Sequence, residues 1–172
     1  MLQLCSVCFL SYDVVESTCE EVTGAMRIYL DMCCYNRPYD DQSQLRVHLE
    51  TQAKLHIQDM IKTGNLSLIG SYTLDYEVSQ NPFEARKKAI RQFVDQNMTA
   101  YVGVERDTPV SAIAEEIMRS GVKEKDAYHV AAAIYASCDY FITTDYRLLK
   151  YRDSRIRLCS PIDFIIETEG EP

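Results

Sequence analysis

At 172 residues and 47% apolar content, the chain is sized for one domain around a single buried core. No run of roughly eighteen apolar residues is present, so no helix is expected to cross a membrane, and Met1 to Leu10 lack the Lys or Arg of a secretory signal. The net charge of −8 argues against a nucleic-acid partner until it is divided: residues 1–25 and 163–172 carry −4 each, and the body between them is neutral.

Residues 1–25 show no clear period and read as an N-terminal extension outside the core, or as a misassigned start before Met26. From there the elements alternate. Residues 27–31 read as a buried strand, Arg37-Pro38 and Asp40-Asp41 as a loop, and 44–62 as a long helix closed by Gly64-Asn65. The apolar positions of that helix (Leu45, Val47, Leu49, Leu55, Ile57, Met60, Ile61) fit helical spacing only in part. A second strand over 66–70 leads to a helix capped by Ser71 and stopped by Asn81-Pro82.

A helix over 83–95, a strand over 99–104, and a helix over 108–119 ended by Gly121 follow. Next come an alanine-rich helix over 123–137, a strand over 140–143, a short helix over 146–150, a strand over 156–159 and a last turn of helix from Ser160-Pro161 to residue 166. Strands alternating with helices predict an α/β three-layer sandwich around a central, mostly parallel sheet of four to five strands. Residues 26–166 form the predicted domain and 167–172 an acidic tail.

In such a sheet, ligands bind beyond the carboxyl ends of the strands. Four acids are placed to reach that rim: Asp31 and Asp145 at strand ends, Glu77 about two turns into the helix after the second strand, and Asp126 at a helix start. Each alone has an ordinary reading, as a cap, a turn or a solvated face. Together they form an oxygen-only cluster of the kind that binds Mg²⁺ or Mn²⁺, and such ions serve phosphodiester hydrolysis. Two basic clusters suit a phosphate backbone: Arg86, Lys87, Lys88 and Arg91, and Arg147, Lys150, Arg152, Arg155 and Arg157. Seven cysteines at irregular spacing, with Cys33 and Cys34 adjacent, read as reduced thiols in a cytoplasmic protein. Cys5 and Cys8 have zinc-knuckle spacing with no second pair to complete it.

Four blocks carry a resemblance: Tyr29-Leu30-Asp31; Ser71 with Leu74 and Glu77; Lys125-Asp126-Ala127 with His129, Ala131 and Ala133; and Phe141-Ile142-Thr143-Thr144-Asp145. Over residues 26–166 the chain resembles the PIN-domain ribonucleases, which include the VapC-type toxins of bacterial toxin–antitoxin pairs. The resemblance implies a parallel α/β sandwich and one or two Mg²⁺ or Mn²⁺ ions acting on RNA, with an antitoxin partner if the chain is such a toxin. It places the metal on Asp31 and Asp126, with Asp145 and Glu77 completing the site directly or through water, and Thr143 or Thr144 as the hydroxyl beside the last acid. Cys33 departs from the family's Asn or Ser, and Asn36 or Arg37 is expected to substitute, the latter as a phosphate contact. His129 is expected to be packed and hydrogen-bonded rather than a ligand. Twelve tyrosines, with Tyr35, Tyr39, Tyr72 and Tyr76 near the rim, suggest an aromatic surface for a homodimer or another partner. Two other classes remain: a non-catalytic module binding RNA or protein, and an enzyme forming an aspartyl-phosphate at Asp31.

Overall fold

The central strand explains the arrangement of the rest. In the computed structural model, which describes residues 24–170, β1 (Met26–Leu30) lies in the middle of a five-stranded sheet of order β3-β2-β1-β4-β5. Its neighbours are β2 (Leu66–Ser71) and β4 (Tyr140–Ile142), with β3 (Met98–Val102) and β5 (Arg157–Cys159) at the edges. Every pairing is parallel. A strand covered on both faces must be apolar at successive positions, and Ile28, Tyr29 and Leu30 are all fully buried.

Parallel strands require crossovers, and these are right-handed. The first two crossovers run β1 to β2 to β3 and carry α1 (Met32–Asn36), α2 (Leu45–Lys62), α3 (Tyr72–Ser79) and α4 (Glu84–Asn97). The third returns from β3 to β4 in the opposite direction through α5 (Asp107–Met118) and α6 (Glu124–Tyr135), which therefore cover the other face. The last helix, α7 (Pro161–Glu169), packs on α2 and β5. The result is the three-layer α/β fold.

Local chemistry sets the helix boundaries. Ser71 is extended and its side chain accepts the Leu74 N–H at 3.1 Å, while Ser160 and Asp163 form a capping box at α7. Gly64 (φ +78°) and Gly121 (φ +92°) take the left-handed turn that ends α2 and α5.

Three details differ from expectation. A short helix, α1, and a 3-10 turn over Arg37–Tyr39 occupy what reads as loop. The segment 146–150 forms only a 3-10 turn, Leu148–Lys150. The last helix continues past residue 166: Glu167 is paired with Arg157, and Glu169 Oε2 lies 2.8 Å from His56 Nε2, so these residues belong to the fold rather than to a tail. The expectations for the extension and for Cys5 and Cys8 fall outside the described residues, in which no helix is long and apolar enough to cross a membrane.

Candidate functional site

The chain reverses its direction across the sheet between β1 and β4, and the crevice at their carboxyl ends is the topological switch point of the fold. Asp31 follows β1 directly, and its N–H donates to the Ile142 carbonyl of β4 at 3.0 Å. Thr143 Oγ1 donates to Asp31 Oδ2 at 2.7 Å and accepts the Asp145 N–H at 3.1 Å. Cys33 Sγ donates to the same Oδ2 at 3.1 Å and accepts the Thr144 N–H at 3.2 Å. Asp31 is thus buried and oriented entirely by neutral donors.

Glu77 is held differently. Its Oε1 accepts from Lys125 Nζ, and its Oε2 lies 2.9 Å from Nε2 of the fully buried His129. His129 Nδ1 lies 2.8 Å from the Tyr29 hydroxyl, which lies 2.6 Å from Ser71 Oγ. One assignment satisfies every group: the Leu74 N–H donates to Ser71, Ser71 to Tyr29, Tyr29 to Nδ1, and Nε2–H to Glu77. Burial alone would raise the Glu77 carboxyl, but the bonds from His129 and Lys125 outweigh it and hold it below the usual carboxylate range. His129 is therefore packed and hydrogen-bonded through both nitrogens.

Asp126 is the reverse case. Burial raises its carboxyl, Asp31 and Asp145 raise it further by repulsion, and Lys125 and His129 offset only part of this. No hydrogen bond contributes. Asp145 is partly buried, which raises it, yet the N–H and guanidinium of Arg147 bring it down overall. Among the described residues, Asp31, Glu77 and His129 form a group whose candidate ligand atoms lie within 4.8 Å of one another. With both ring nitrogens of His129 engaged, the oxygens of that group are the groups open to an ion. Asp31 and Glu77 meet in that group, and Asp126 lies outside it, with the charges of Asp31 and Asp145 raising its carboxyl.

No protein-family model and no curated protein matches the sequence. Among solved structures, the chain is similar to one in the crystal structure of VapBC2 from Rickettsia felis bound to a DNA fragment from their promoter. That alignment has 14% identity and a TM-score of 0.49, covering 78% of this chain and 98% of the other. It is also similar to a chain of FitAcB from Neisseria gonorrhoeae, with 18% identity and a TM-score of 0.48 over 78% and 97% of the two chains. Likenesses of this degree do not bear on what the chain acts on.

The remaining candidates are redistributed by the structure. Thr143 and Thr144 are both buried. Thr143 orients Asp31, and Thr144 Oγ1 has no partner among the described residues. Arg37 lines the groove, but its Nη1 lies 3.0 Å from Asp40 and its Nε 2.9 Å from Glu50, the latter at an angle short of a hydrogen bond. Two carboxylates therefore meet its charge before a phosphate could. Asn36 contacts Asn81 rather than Asp31, and Cys33 itself fills the supporting position. Of the rim tyrosines, Tyr39 and Tyr76 are exposed, Tyr35 is buried and Tyr72 donates to Asp107.

Sequence reasoning did not single out Lys123, which lines a depression of about 470 Å³ together with Asp126, Asp145, Lys150 and Arg152. An exposed lysine just before a helix carries no pattern of its own. Only the fold brings it beside the basic cluster of 147–152.

Proposed function

We propose that this protein is a metal-dependent ribonuclease in the manner of the PIN-domain family, hydrolysing phosphodiester bonds of RNA with Mg²⁺ or Mn²⁺. The observation that carries the reading is the meeting of Asp31 and Glu77, with candidate ligand atoms within 4.8 Å of one another, in the switch-point crevice, where burial and Asp31 raise the Asp126 carboxyl. Neighbouring carboxylates that lack internal cations repel one another and favour an external one. The donor set is oxygen, which suits a hard divalent ion.

In this reading Asp31 and Asp126 hold the metal. Once bound, the ion would activate water and neutralise charge developing on the phosphate. Thr143 and Cys33 keep the Asp31 carboxylate fixed, so it need not reorganise. Lys125 and His129 keep Glu77 ionised, positioned to orient water or complete the site. Lys123, Lys150 and Arg152 receive the substrate's phosphates along the neighbouring depression. No side chain acts as nucleophile.

The test is cleavage of a single-stranded RNA by the purified chain with Mn²⁺, with EDTA, and in Asp31→Asn. Cleavage that needs the metal and is lost in the variant supports the proposal. Cleavage unaffected by EDTA, or none by the wild type with either ion, overturns it; RNA binding without cleavage would make the chain a binding module. The narrower reading, a toxin held by an antitoxin, rests on the sequence resemblance, and pairing with a second copy rests on the exposed rim tyrosines Tyr39 and Tyr76. Purification from the host tests it: a small co-purifying DNA-binding protein supports it, and a lone active monomer counts against it.

A further inference from the structure

On the far side of the acids from Lys150 and Arg152 lies a second feature that the hydrolytic reading leaves unused. Phe83, just before α4, is 55% exposed, and Tyr39, at the end of the 3-10 turn, is 44% exposed. The Arg86 guanidinium carbon sits 4.3 Å over the Phe83 ring and 4.6 Å over the Tyr39 ring. Two large aromatics bridged by one arginine, and exposed among the described residues, form a cationic π platform.

Phe83 and Arg86 of the platform line a depression of about 320 Å³ whose wall includes Glu77, Asn36, Gln80 and Asn81. Asn81 is turned inward by two contacts: its Oδ1 accepts the Phe83 N–H at 3.0 Å, and its Nδ2 lies 3.3 Å from Asn36 Oδ1. Gln80 donates its amino group to Ser79 at 3.2 Å. The Asn36 amino group and the Gln80 carbonyl are thereby left without protein partners among the described residues. One is a donor and the other an acceptor, on the wall of a depression whose rim is aromatic.

This depression is continuous with the rest of the groove. It shares Asn36 and Asp40 with a middle depression of about 500 Å³, and that one shares Asp145 and Arg147 with the basic depression beyond. One path therefore runs from an aromatic end, past the acids, to a cationic end.

We propose that the Phe83–Arg86–Tyr39 platform is a nucleobase subsite, which stacks one unpaired base of a single-stranded RNA whose backbone crosses the acidic cluster. The proposal rests on the ribonuclease reading and specifies how that site holds its substrate. A base offers a flat π face to Phe83 and a donor–acceptor edge to the Asn36 and Gln80 amides, which is how unpaired bases are read elsewhere. A duplex buries those faces in its own stack, so the subsite selects single strands. The depression's volume, at the small end for ligand pockets, suits one nucleoside.

The test uses a single-stranded RNA carrying one 2-aminopurine, whose emission falls when the base stacks. It is titrated with the chain carrying Asp126→Asn, which blocks turnover. We expect quenching on binding, about tenfold or more weaker binding with Phe83→Leu and loss of the quenching, the size of one lost base–aromatic stack. Phe83→Trp should restore both. Phe83 is exposed, so neither change should disturb folding. Quenching and affinity unchanged by Phe83→Leu overturn the subsite. Self-association that depends on Phe83, with no quenching, also overturns it and gives the surface to a second copy of the chain.

Mn²⁺-dependent cleavage, measured separately on chains without the Asp126 change, keeps the two readings apart. Cleavage with no Phe83-dependent quenching overturns the subsite and leaves the ribonuclease standing. Phe83-dependent quenching without cleavage supports the subsite and removes the ribonuclease.

Discussion

Glu77 and Asp126 stand at the same rim, yet the protein treats their charges in opposite ways. Glu77 is only partly exposed but sits between Lys125 and His129, and its carboxyl is brought below the usual range. Asp126, half-buried beside Asp31 and Asp145, takes no hydrogen bond and is pushed up. The same division runs through the other acids. Glu50 is fully buried with Arg37 and Arg46 beside it, and Asp145 has Arg147. A carboxylate supplied with an internal cation is part of the structure, and one left without is available to an external ion. Position along the chain does not distinguish the two kinds; the partners do.

The comparison can be broken most forcefully at Glu50. Its removal by Glu50→Ala leaves Arg37 and Arg46 without their shared counter-charge and the Tyr146 hydroxyl without its acceptor. Breaking a buried pair from one side costs about 3–5 kcal/mol. Urea denaturation should show a loss of that order; a loss under about 1 kcal/mol, the range of exposed pairs, would mean that Glu50 behaves like a surface carboxylate.

His129→Phe is the next in size. It keeps a ring beside Tyr29 but removes the donor to Glu77, at a cost of about 1–3 kcal/mol for the groups left unsatisfied. It also bears on pH. A depressed carboxyl contributes stability that is present above its unfolded pKa, about 4.3, and is lost as pH falls through the lower folded value. The variant should therefore lose less stability on acidification than the wild type. An identical acid limb in the two proteins would show that His129 does not hold Glu77.

The smallest effect has the opposite sign. With metal chelated, Asp126→Asn should be more stable than the wild type at neutral pH by under about 1 kcal/mol, because it relieves repulsion in a solvated cluster. A raised carboxyl costs stability above its folded pKa, and the cost disappears as pH falls towards the unfolded value, about 3.9. The two proteins should converge in acid. A variant less stable than the wild type at neutral pH would mean that Asp126 has a favourable internal partner.

Much of this was legible in the sequence, and the failures have physical causes. The sheet was readable because β1, β2 and β4 each carry adjacent buried apolar residues, Ile28 to Leu30, Leu68-Ile69 and Phe141-Ile142. Asp31 and Asp145 were readable because each follows an apolar strand, and Glu77 because Ser71 caps its helix. Helix α2 was harder. Its apolar residues Leu45, Leu49 and Leu55 are exposed, whereas Glu50, Thr51 and Lys54 are buried among Val47, Ile57 and Ile61. The stripe has helical spacing, but half of it is polar, which no hydrophobic pattern reveals. Burial lowers the Lys54 ammonium to about 8, and its Nζ donates to Gln58 at 2.8 Å. Likewise Arg37 looked available for phosphate because its carboxylate partner Glu50 is on another element, and Cys33 looked foreign because a thiol's hydrogen bonds cannot be read from its letter.

Asp126 takes no hydrogen bond and is only partly offset by Lys125 and His129, which on the proposed reading leaves it to a divalent ion. A thermal melt of the wild type and Asp126→Asn across a Mn²⁺ titration, with RNA cleavage followed in the same samples, tests it most directly. An ion bound only by the native state at a hundred times its Kd adds about 2.7 kcal/mol. The wild type should rise in Tm and cleave as Mn²⁺ is added, while the variant should begin slightly higher, stay flat and not cleave. Equal rises in both proteins, or neither a rise nor cleavage in the wild type, would contradict it.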